Sequence, residues 1–216
     1  YKGVEALAVL SNWSTPGGGG YYGDWFRSRK DTTRSGHGQA ILFDPRTDFF
    51  KVFRYTTKEG KPVSVDDFDW ADPKSVIISN MAKETFFPDG DAIGQILESP
   101  EKPDEWNFVV KGVVGDIKRF DYERPQLTFY RAWRATADNI TDEMEIAVRS
   151  RESIPDEQFL QDFKQAMSRE LRVGNFYLKG VKSYNQINKD TDFEFGQTNN
   201  VRIRTAFLLF FLINIM

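Results

Sequence analysis

Four aspartates crowd into one acidic stretch, SVDDFDWADP, at residues 64–73. Carboxylates at this density could bind calcium, which takes oxygen ligands. An EF-hand loop also needs a central glycine and a closing glutamate at fixed positions, and this stretch has neither. We therefore interpret it as a solvated acidic loop and assign no metal ligand to Asp66, Asp67, Asp69 or Asp72.

His37 is the only histidine of the chain, and it lies in a Ser-Gly-His-Gly sequence between polar residues. Nothing in its surroundings supports a Ser-His-Asp triad. Carboxylates are plentiful, but no pair stands out as the two catalytic groups of a glycosidase. We predict a surface histidine and assign no catalytic residue.

The segment FFPDGDAIGQIL, residues 86–97, could be a phosphate loop, because Pro88, Asp89 and Gly90 are followed by a second glycine, Gly94. Phosphate loops follow a strand and open a helix, so that the first amides of the helix face the anion. Here a helix comes before the turn and a strand comes after it. We therefore predict a structural turn with Gly90 at positive φ, and no cofactor site.

The aromatic, glycine-rich segment SNWSTPGGGGYYGDWF, residues 11–26, is the candidate contact surface. Tyrosine and tryptophan dominate protein–protein hot spots, and the run of glycines lets the segment move. In the alternative interpretation Trp25 and Phe26 fold into the core and only the glycine tip is mobile. The same rings could stack on sugars, which would suit an envelope domain that binds or processes glycans. The candidate partner contacts are Trp13, Tyr21, Tyr22 and Trp25.

Composition limits the class of protein. The chain has 216 residues, of which 40% are hydrophobic and 28% charged, as is typical of a globular protein with a sizeable core. The net charge of −3 provides no domain-wide basic field for nucleic acid or an anionic membrane. Because the chain has no cysteine, structural disulfides and thiolate metal sites are excluded.

The hydrophobic pattern predicts strands separated by short helices and turns. Gly112 and Gly115, inside a long strand pattern, predict a bulge or a close backbone approach. Residues 27–38 predict a solvated turn or hairpin tip. Strands are expected at residues 39–43, 93–97, 106–117, 126–133, 144–149 and 175–183. Residues 4–10 could form a strand or the end of a helix, and residues 75–79 could form a strand or run straight into the next helix.

Three helices are expected. They lie at residues 47–55, with Thr47 as N-cap, at 81–87, capped by Ser79 or Asn80, and at 155–171. The third follows a capping-box pattern at Ser153 and Asp156. We expect it to pack on a sheet containing residues 144–149 and 175–183, through the apolar face formed by Phe159, Leu160, Phe163, Met167 and Leu171.

The last residues, TAFLLFFLINIM at 205–216, form an apolar run with no polar face. A membrane-spanning helix needs about 20 such residues, and the sequence ends inside the run. The pattern favours the start of a transmembrane helix over a buried terminal element.

Several motifs in the middle of the chain follow one another in a recognisable order. They are Asp48-Phe49-Phe50, the segment at Gly60, Phe87-Pro88, Asp91-Ala92-Ile93-Gly94 and Val110-Lys111-Gly112-Val113-Val114. In this order residues 39–183 resemble the periplasmic core domain of macrolide-exporter-type ABC transporter permeases. The lipoprotein-release and cell-division permeases are similar at a greater distance.

The resemblance implies an α+β fold with two subdomains. A porter-like α/β subdomain would comprise residues 1–73 and 142–200, and a mostly β subdomain, residues 74–141, would be inserted in it. Residues 201–216 would begin a truncated transmembrane helix.

The resemblance also implies a transport role without chemistry in this domain. The domain would lie on the periplasmic side of the cell inner membrane and couple ATP-driven movement to export or extraction of a substrate. ATP hydrolysis would occur on a separate ABC ATPase subunit. The implied partners are that ATPase, a second permease copy, and a periplasmic adaptor or outer-membrane protein.

Overall fold

The computed structural model describes residues 2–11, 14, 16, 23–117, 125–134, 136, 144–151, 155–170 and 180–183. The fold mixes α and β structure, as predicted, with few helices and one large sheet. In chain order its elements are β1 (Val4–Leu10), β2 (Gly23–Ser28), β3 (Ser35–Phe43), α1 (Phe49–Val52), a 3₁₀ turn (Val65–Asp67), β4 (Ser75–Ser79), α2 (Asn80–Phe86), β5 (Ile96–Glu98), β6 (Asn107–Val114), β7 (Thr128–Ala132), β8 (Glu145–Ser150) and α3 (Asp156–Glu170).

Six of the eight strands close into a ring. The hydrogen-bonded order is β2-β5-β6-β4-β7-β3-β1-β8, and β2 additionally pairs with β3. One half of β3, residues 35–39, pairs with β2, and the other half, residues 39–43, pairs with β7. The circuit β2-β5-β6-β4-β7-β3 is therefore complete, and we call it the strand ring. Strand β1 leaves it at the pair Leu10↔Phe43 and carries β8 along its other edge.

One hydrophobic cluster, the ring core, is built from ring strands and from α2. Strand β3 has glycines where it passes the ring core. A Cβ on Gly36 would lie 2.7 Å from Leu127 Cδ1, and one on Gly38 would lie 2.8 Å from the Phe129 ring. These contacts leave no room for a side chain. The buried members of the ring core are Phe26, Val76, Ile78, Ala82, Phe86, Phe87, Ala92, Leu97, Phe108, Val110 and Phe129.

A second cluster, the aromatic core, lies on the opposite faces of β4 and β7 and includes α1 and β1. Its rings stack closely, with Phe43 and Phe49 4.3 Å apart between centroids. The buried members are Ala6, Ala8, Leu10, Ile41, Phe43, Phe49, Phe50, Val52, Tyr55, Val63, Val65, Ile77, Val114 and Tyr130.

The first predicted helix is shorter than expected, and its cap was wrongly assigned. Helix α1 covers only Phe49–Val52, and its N-cap is Asp48. Thr47 instead fixes the chain before the helix: its hydroxyl donates to the Asp44 carbonyl at 2.6 Å and accepts from the Val9 amide at 3.2 Å. These bonds explain why a residue with good capping chemistry is used for a turn.

Residues 75–79 form the strand β4, which is one of the two predicted alternatives, and the helix α2 confirms the sequence prediction. The Ser79 hydroxyl accepts from the Ala82 amide at 3.3 Å, as an N-cap does. A second acceptor comes from far along the chain, because Asp116 Oδ1 accepts from the Met81 amide at 2.7 Å. Two of the amides at the start of α2 are thus satisfied, one locally and one by a tertiary contact.

Gly112, in β6, and Gly115, just after it, lie where the backbone comes close to other groups, as predicted. The register between β4 and β6 shifts so that Lys111 is the extra residue. A Cβ on Gly112 would lie 2.7 Å from Phe68 Cδ1, and one on Gly115 would lie 2.9 Å from the Thr56 carbonyl oxygen.

Two turn predictions were wrong in part. Strand β2 covers residues 23–28 and β3 begins at residue 35. The predicted loop over residues 11–26 therefore ends in a strand, and the turn predicted at 27–38 is confined to residues 29–34. Among the described glycines, positive φ occurs at Gly60 and Gly94 and not at Gly90. The turn at Pro88–Gly90 forms, but the left-handed residue lies four positions later.

Contacts divide the chain into two units, residues 2–152 and the remainder. The second unit contains α3, in which Phe159 and Phe163 are buried and their rings stack with centroids 5.5 Å apart. Of the strand predicted at 175–183, only residues 180–183 are described, and they have no regular structure. The capping-box residue Ser153 and Leu171 lie outside the described residues.

The two-subdomain boundaries, 1–73 with 142–200 and 74–141, stay a prediction. Strands from both predicted parts belong to the same hydrogen-bonded sheet. None of the described helices is both long and apolar enough to cross a bilayer. The predicted transmembrane start at 201–216 lies outside the described residues.

Candidate partner-contact surface

The antiparallel hairpin of β2 and β3 carries the described part of the predicted contact surface. Its turn is ordered by Asp31, whose Oδ1 accepts from the Thr33 amide at 3.1 Å and from the Thr33 hydroxyl at 2.6 Å. These bonds, the hydroxyl bond first, lower the pKa of Asp31. The Ser28 amide donates to the Arg34 carbonyl at 2.9 Å and closes the hairpin. A short polar sequence thus fixes the register of both strands.

The register sends two neighbouring aromatic residues to opposite faces of β2. Phe26 is 1% exposed and packs edge-on against Phe129 and Phe108, with centroids 4.7 and 5.6 Å away. Trp25 is 54% exposed and lies opposite His37 on β3, with ring centroids 6.1 Å apart. Phe26 is therefore a core residue, whereas Trp25 is a surface residue and its contact with a partner stays a prediction.

His37 is exposed, as predicted, although it lies in a strand and not in a turn. It forms with Trp25 a cross-strand pair of flat rings on the outer face of the hairpin. Large rings with few rotatable bonds lose little entropy when a partner covers them. This pair is the part of the hairpin best suited to a protein contact.

Next to this pair, a single carboxylate binds two arginines where β2 meets β5. Glu98 Oε1 accepts from Arg27 Nε at 3.0 Å and Nη2 at 2.9 Å, and Glu98 Oε2 accepts from Arg29 Nε at 2.6 Å. The Glu98 side chain is 7% exposed, whereas those of Arg27 and Arg29 are 30% and 44% exposed. The bond from Arg29, with a further contribution from Arg27, lowers the pKa of Glu98 against the opposing effect of burial.

The other contact residues predicted from sequence, Trp13, Tyr21 and Tyr22, lie outside the described residues. The structure therefore supplies one of the four candidates, Trp25, with a location. It adds His37, on β3, and Arg27, on β2, to its surroundings.

The acidic stretch does not bring its carboxylates to one point. Asp67 Oδ2 accepts from the Ser64 amide at 2.7 Å in a capping box, while Asp69 and Asp72 each accept from an amide two residues later. Within the described part of the chain, no group of three or more potential ligands could hold a metal ion. Local turns account for these aspartates.

The segment after the Pro88 turn also uses its polar groups internally. Asp91 Oδ1 accepts from the Ile93 amide at 2.9 Å. The Gly94 amide donates to the Val110 carbonyl at 2.8 Å, and the Gln95 amide donates to the Ala92 carbonyl at 3.0 Å. These amides face protein acceptors, which is how a connection between helix and strand is ordered.

One aromatic site, formed by Arg131, Phe108 and Trp106, was not predicted from sequence. The Arg131 guanidinium lies 4.1 Å from the centroid of the Phe108 ring and 5.5 Å from that of Trp106, which is 36% exposed. Both distances suit a cation–π contact. More than twenty residues separate Arg131 from either ring, so only the strand pairing brings them together.

The sequence matches no protein-family model and no curated protein. The solved structures that share the fold include two that are 15% and 16% identical to this chain. The periplasmic region of MacB from Actinobacillus actinomycetemcomitans is 15% identical, with a TM-score of 0.53, over 89% of this chain and 78% of that one. A domain of a protein described as a permease, from Porphyromonas gingivalis, is 16% identical, with a TM-score of 0.53, over 78% of this chain and 70% of that one. The resemblance to macrolide-exporter periplasmic domains is thus confirmed at the level of fold, and this chain has the fold of the periplasmic region of MacB.

Proposed function

We propose that the chain is the extracytoplasmic domain of an ABC transporter permease and that it transmits ATP-driven movement to a substrate or partner outside the cytoplasm. The observation that carries the proposal is the fold shared with the periplasmic region of MacB over 89% of this chain. The order of the sequence motifs over residues 39–183, which resembles the same family, also supports it.

In this proposal the domain binds and moves but catalyses no reaction. ATP is hydrolysed on a separate ATPase subunit, and a second permease copy completes the transporter. In the same proposal residues 201–216 would begin a transmembrane helix in the cell inner membrane, and the domain would lie on the periplasmic side. The porter-like part would be residues 1–73 and 142–200, and the inserted part residues 74–141.

The partner contact is assigned to the outer face of the hairpin, centred on Trp25 and His37. Trp25 is exposed in the middle of a strand whose next residue, Phe26, is fully buried. The backbone that presents Trp25 is therefore held by the ring core. The indole ring of Trp25 is available to a periplasmic adaptor, an outer-membrane protein or the paired permease.

The test is Trp25→Ala in the full-length transporter, with transport, partner co-purification and melting temperature measured together. We expect loss of partner and transport with little loss of stability, since the cross-strand pair with His37 contributes only about 0.2–1 kcal/mol. Ile93→Ala is the matched control, because Ile93 is 57% exposed and lies in a different loop. Retention of both partner and transport in Trp25→Ala would remove the contact assignment.

The transporter assignment has its own test, which does not depend on Trp25. The full-length protein should co-purify with an ABC ATPase and should stimulate or couple its turnover in membranes. A full-length chain that carries no membrane helix and instead binds or cleaves glycans would favour the envelope glycan alternative.

A further inference from the structure

The strand ring closes through its shortest pairing. Strands β2 and β5 share only two residue pairs, Arg27↔Glu98 and Ser28↔Leu97. Every other pairing in the ring has at least three, and β2 with β3 has five. One further backbone bond crosses the junction, from the Arg29 amide to the Ile96 carbonyl at 3.0 Å. We call this junction of residues 27–29 with 96–98 the seam.

Side chains reinforce the seam where backbone pairing is scarce. Glu98 is buried and accepts three hydrogen bonds from two arginines that both lie on the opposite strand or just after it. Charge-assisted bonds of this kind are stronger than neutral ones and fix orientation as well as distance. On the other face of the seam, Phe26 and Leu97 belong to the ring core.

We propose that Glu98, with Arg27 and Arg29, is a latch that closes the strand ring, and that the ring opens first at the seam. Opening separates two backbone residue pairs, the bond from Arg29 to Ile96 and the contacts of one carboxylate, whereas the neighbouring β2–β3 and β5–β6 pairings stay formed. The hairpin of β2 and β3, which carries Trp25, then moves as a unit relative to β5. This inference concerns the ring itself and holds whether or not the chain belongs to a transporter.

Amide hydrogen exchange in the chain can detect this opening residue by residue. The reporter is the Arg29 amide, which crosses the seam. Two reference amides lie beside it: the Ser99 amide donates to Trp106 across β5–β6, and the Ser28 amide donates to Arg34 within the hairpin. Local opening of the seam exposes Arg29 while both references stay protected.

Glu98→Gln keeps the shape of the side chain and removes its charge. We expect exchange of the Arg29 amide to accelerate by roughly tenfold or more, with Ser99 and Ser28 changing much less. Glu101→Gln, in the exposed loop after β5, is the matched control and should leave all three amides unchanged. Equal acceleration of all three amides in Glu98→Gln, or no acceleration of Arg29, would overturn the proposal.

A cross-link supplies the converse experiment. Because the chain has no cysteine, Arg27→Cys with Glu98→Cys introduces a single thiol pair at directly opposed positions of β2 and β5. Opposed residues of antiparallel strands lie within disulfide reach. The reduced variant should exchange Arg29 rapidly and the oxidised variant slowly. Rapid exchange in the oxidised form, or failure of the folded chain to cross-link, would contradict the latch.

Discussion

The ring core and the aromatic core lie on opposite faces of the same strands but are assembled differently. On β7, Phe129 belongs to the ring core and Tyr130 to the aromatic core. Most of the aromatic core comes from one continuous stretch, residues 41–65, in which short-range turns bring the rings together. The ring core draws on residues from 26 to 129 and exists only if the strands close. The first core is therefore mainly local, and the second depends on topology.

Truncation of one aromatic side chain in each core should cause the largest losses of stability. Phe49 and Phe26 are both essentially unexposed, at 0% and 1%. Phe49→Ala and Phe26→Ala should each lower the free energy of unfolding by about 3–5 kcal/mol. Phe49 should lie at the upper end, because it contacts the rings of Phe43, Phe50 and Tyr55 at 4.3–5.6 Å. Urea unfolding monitored by circular dichroism would measure both.

Amide hydrogen exchange of the two variants would show whether the two cores loosen separately. Phe26→Ala should loosen the strands of the ring while amides of α1 keep their relative protection, since α1 belongs to the other core. If Phe26→Ala and Phe49→Ala produced the same exchange pattern, the two clusters would behave as one cooperative core.

The next effect separates glycines that are blocked by backbone from glycines that are blocked by a side chain. A Cβ on Gly38 meets the Leu127 carbonyl oxygen and, at 2.8 Å, the Phe129 ring of the ring core. A Cβ on Gly112 meets the partly buried ring of Phe68, which packs against the aromatic core. Gly38→Ala should therefore cost about 2–3 kcal/mol and Gly112→Ala about 1–2 kcal/mol.

A double substitution checks the second half of this expectation. Phe68→Leu should recover part of the loss in Gly112→Ala, because leucine lacks the Cε1 atom that the added Cβ would approach most closely. The same double-mutant comparison has no counterpart at Gly38, where the obstacle includes backbone. Additive losses in Gly112→Ala with Phe68→Leu would show that Phe68 is not the limiting contact.

Acid should weaken the seam. The folded-state pKa of Glu98 lies below its ordinary value because Arg29 and Arg27 donate to the carboxylate. A lowered pKa contributes stability above the unfolded pKa of about 4.5, and that stability is lost as pH falls through the folded pKa. The latch should contribute about 1–2 kcal/mol at neutral pH.

The measurement is unfolding free energy between pH 6 and about pH 3, compared between the parent chain and Glu98→Gln. The parent should lose more stability than the variant over this range, so the two curves should converge in acid. Parallel curves would mean that Glu98 does not titrate differently in the folded and unfolded states.

The elements that could be predicted from sequence are the local ones, and those that could not be predicted depend on long-range contacts. The strand at 75–79 was one of two predicted alternatives and Ser79 one of two predicted caps, because a β-branched run and a hydroxyl three residues before an amide are local signals. The close approach at Gly112 was predictable from a glycine inside a strand pattern. Ring closure, the Glu98 latch and the Arg131 stack were not, because their partners are separated by more than twenty residues of chain.

The contact surface shows the limit most clearly. Sequence identified the aromatic residues but could not say which ring faces solvent, since a shift of one residue in a strand exchanges its two faces. The pairing of β2 with β3 decides it: Trp25 is opposite the exposed His37, and Phe26 is therefore turned towards the ring core. Gly90 and Gly94 illustrate the same limit in a loop, where composition predicted a left-handed residue but not its position.

The smallest expected effects concern two residues with positive φ, one beside each core. Arg54, at the end of α1 in the aromatic core, has φ 53°, and Gly94, in the loop that enters the ring at β5, has φ 82°. Arg54 is the C′ residue of a complete Schellman motif: the Tyr55 amide donates to the Phe50 carbonyl at 2.9 Å, and the Arg54 amide donates to the Lys51 carbonyl at 3.3 Å. Glycine is the residue that this position normally takes, because a Cβ is strained there.

Arg54→Gly should therefore stabilise the chain by about 0.5–1 kcal/mol, since the strain relieved exceeds the flexibility that glycine adds to the unfolded chain. Gly94→Ala should destabilise it by about 1 kcal/mol for the opposite reason, even though a Cβ at Gly94 meets no atom within 4 Å. Gly90→Ala is the matched control: its Cβ also meets nothing within 4 Å, and its φ is not positive. Thermal unfolding of the three variants decides the matter, because a loss of stability in Arg54→Gly would mean that the arginine side chain contributes more than its backbone strain costs.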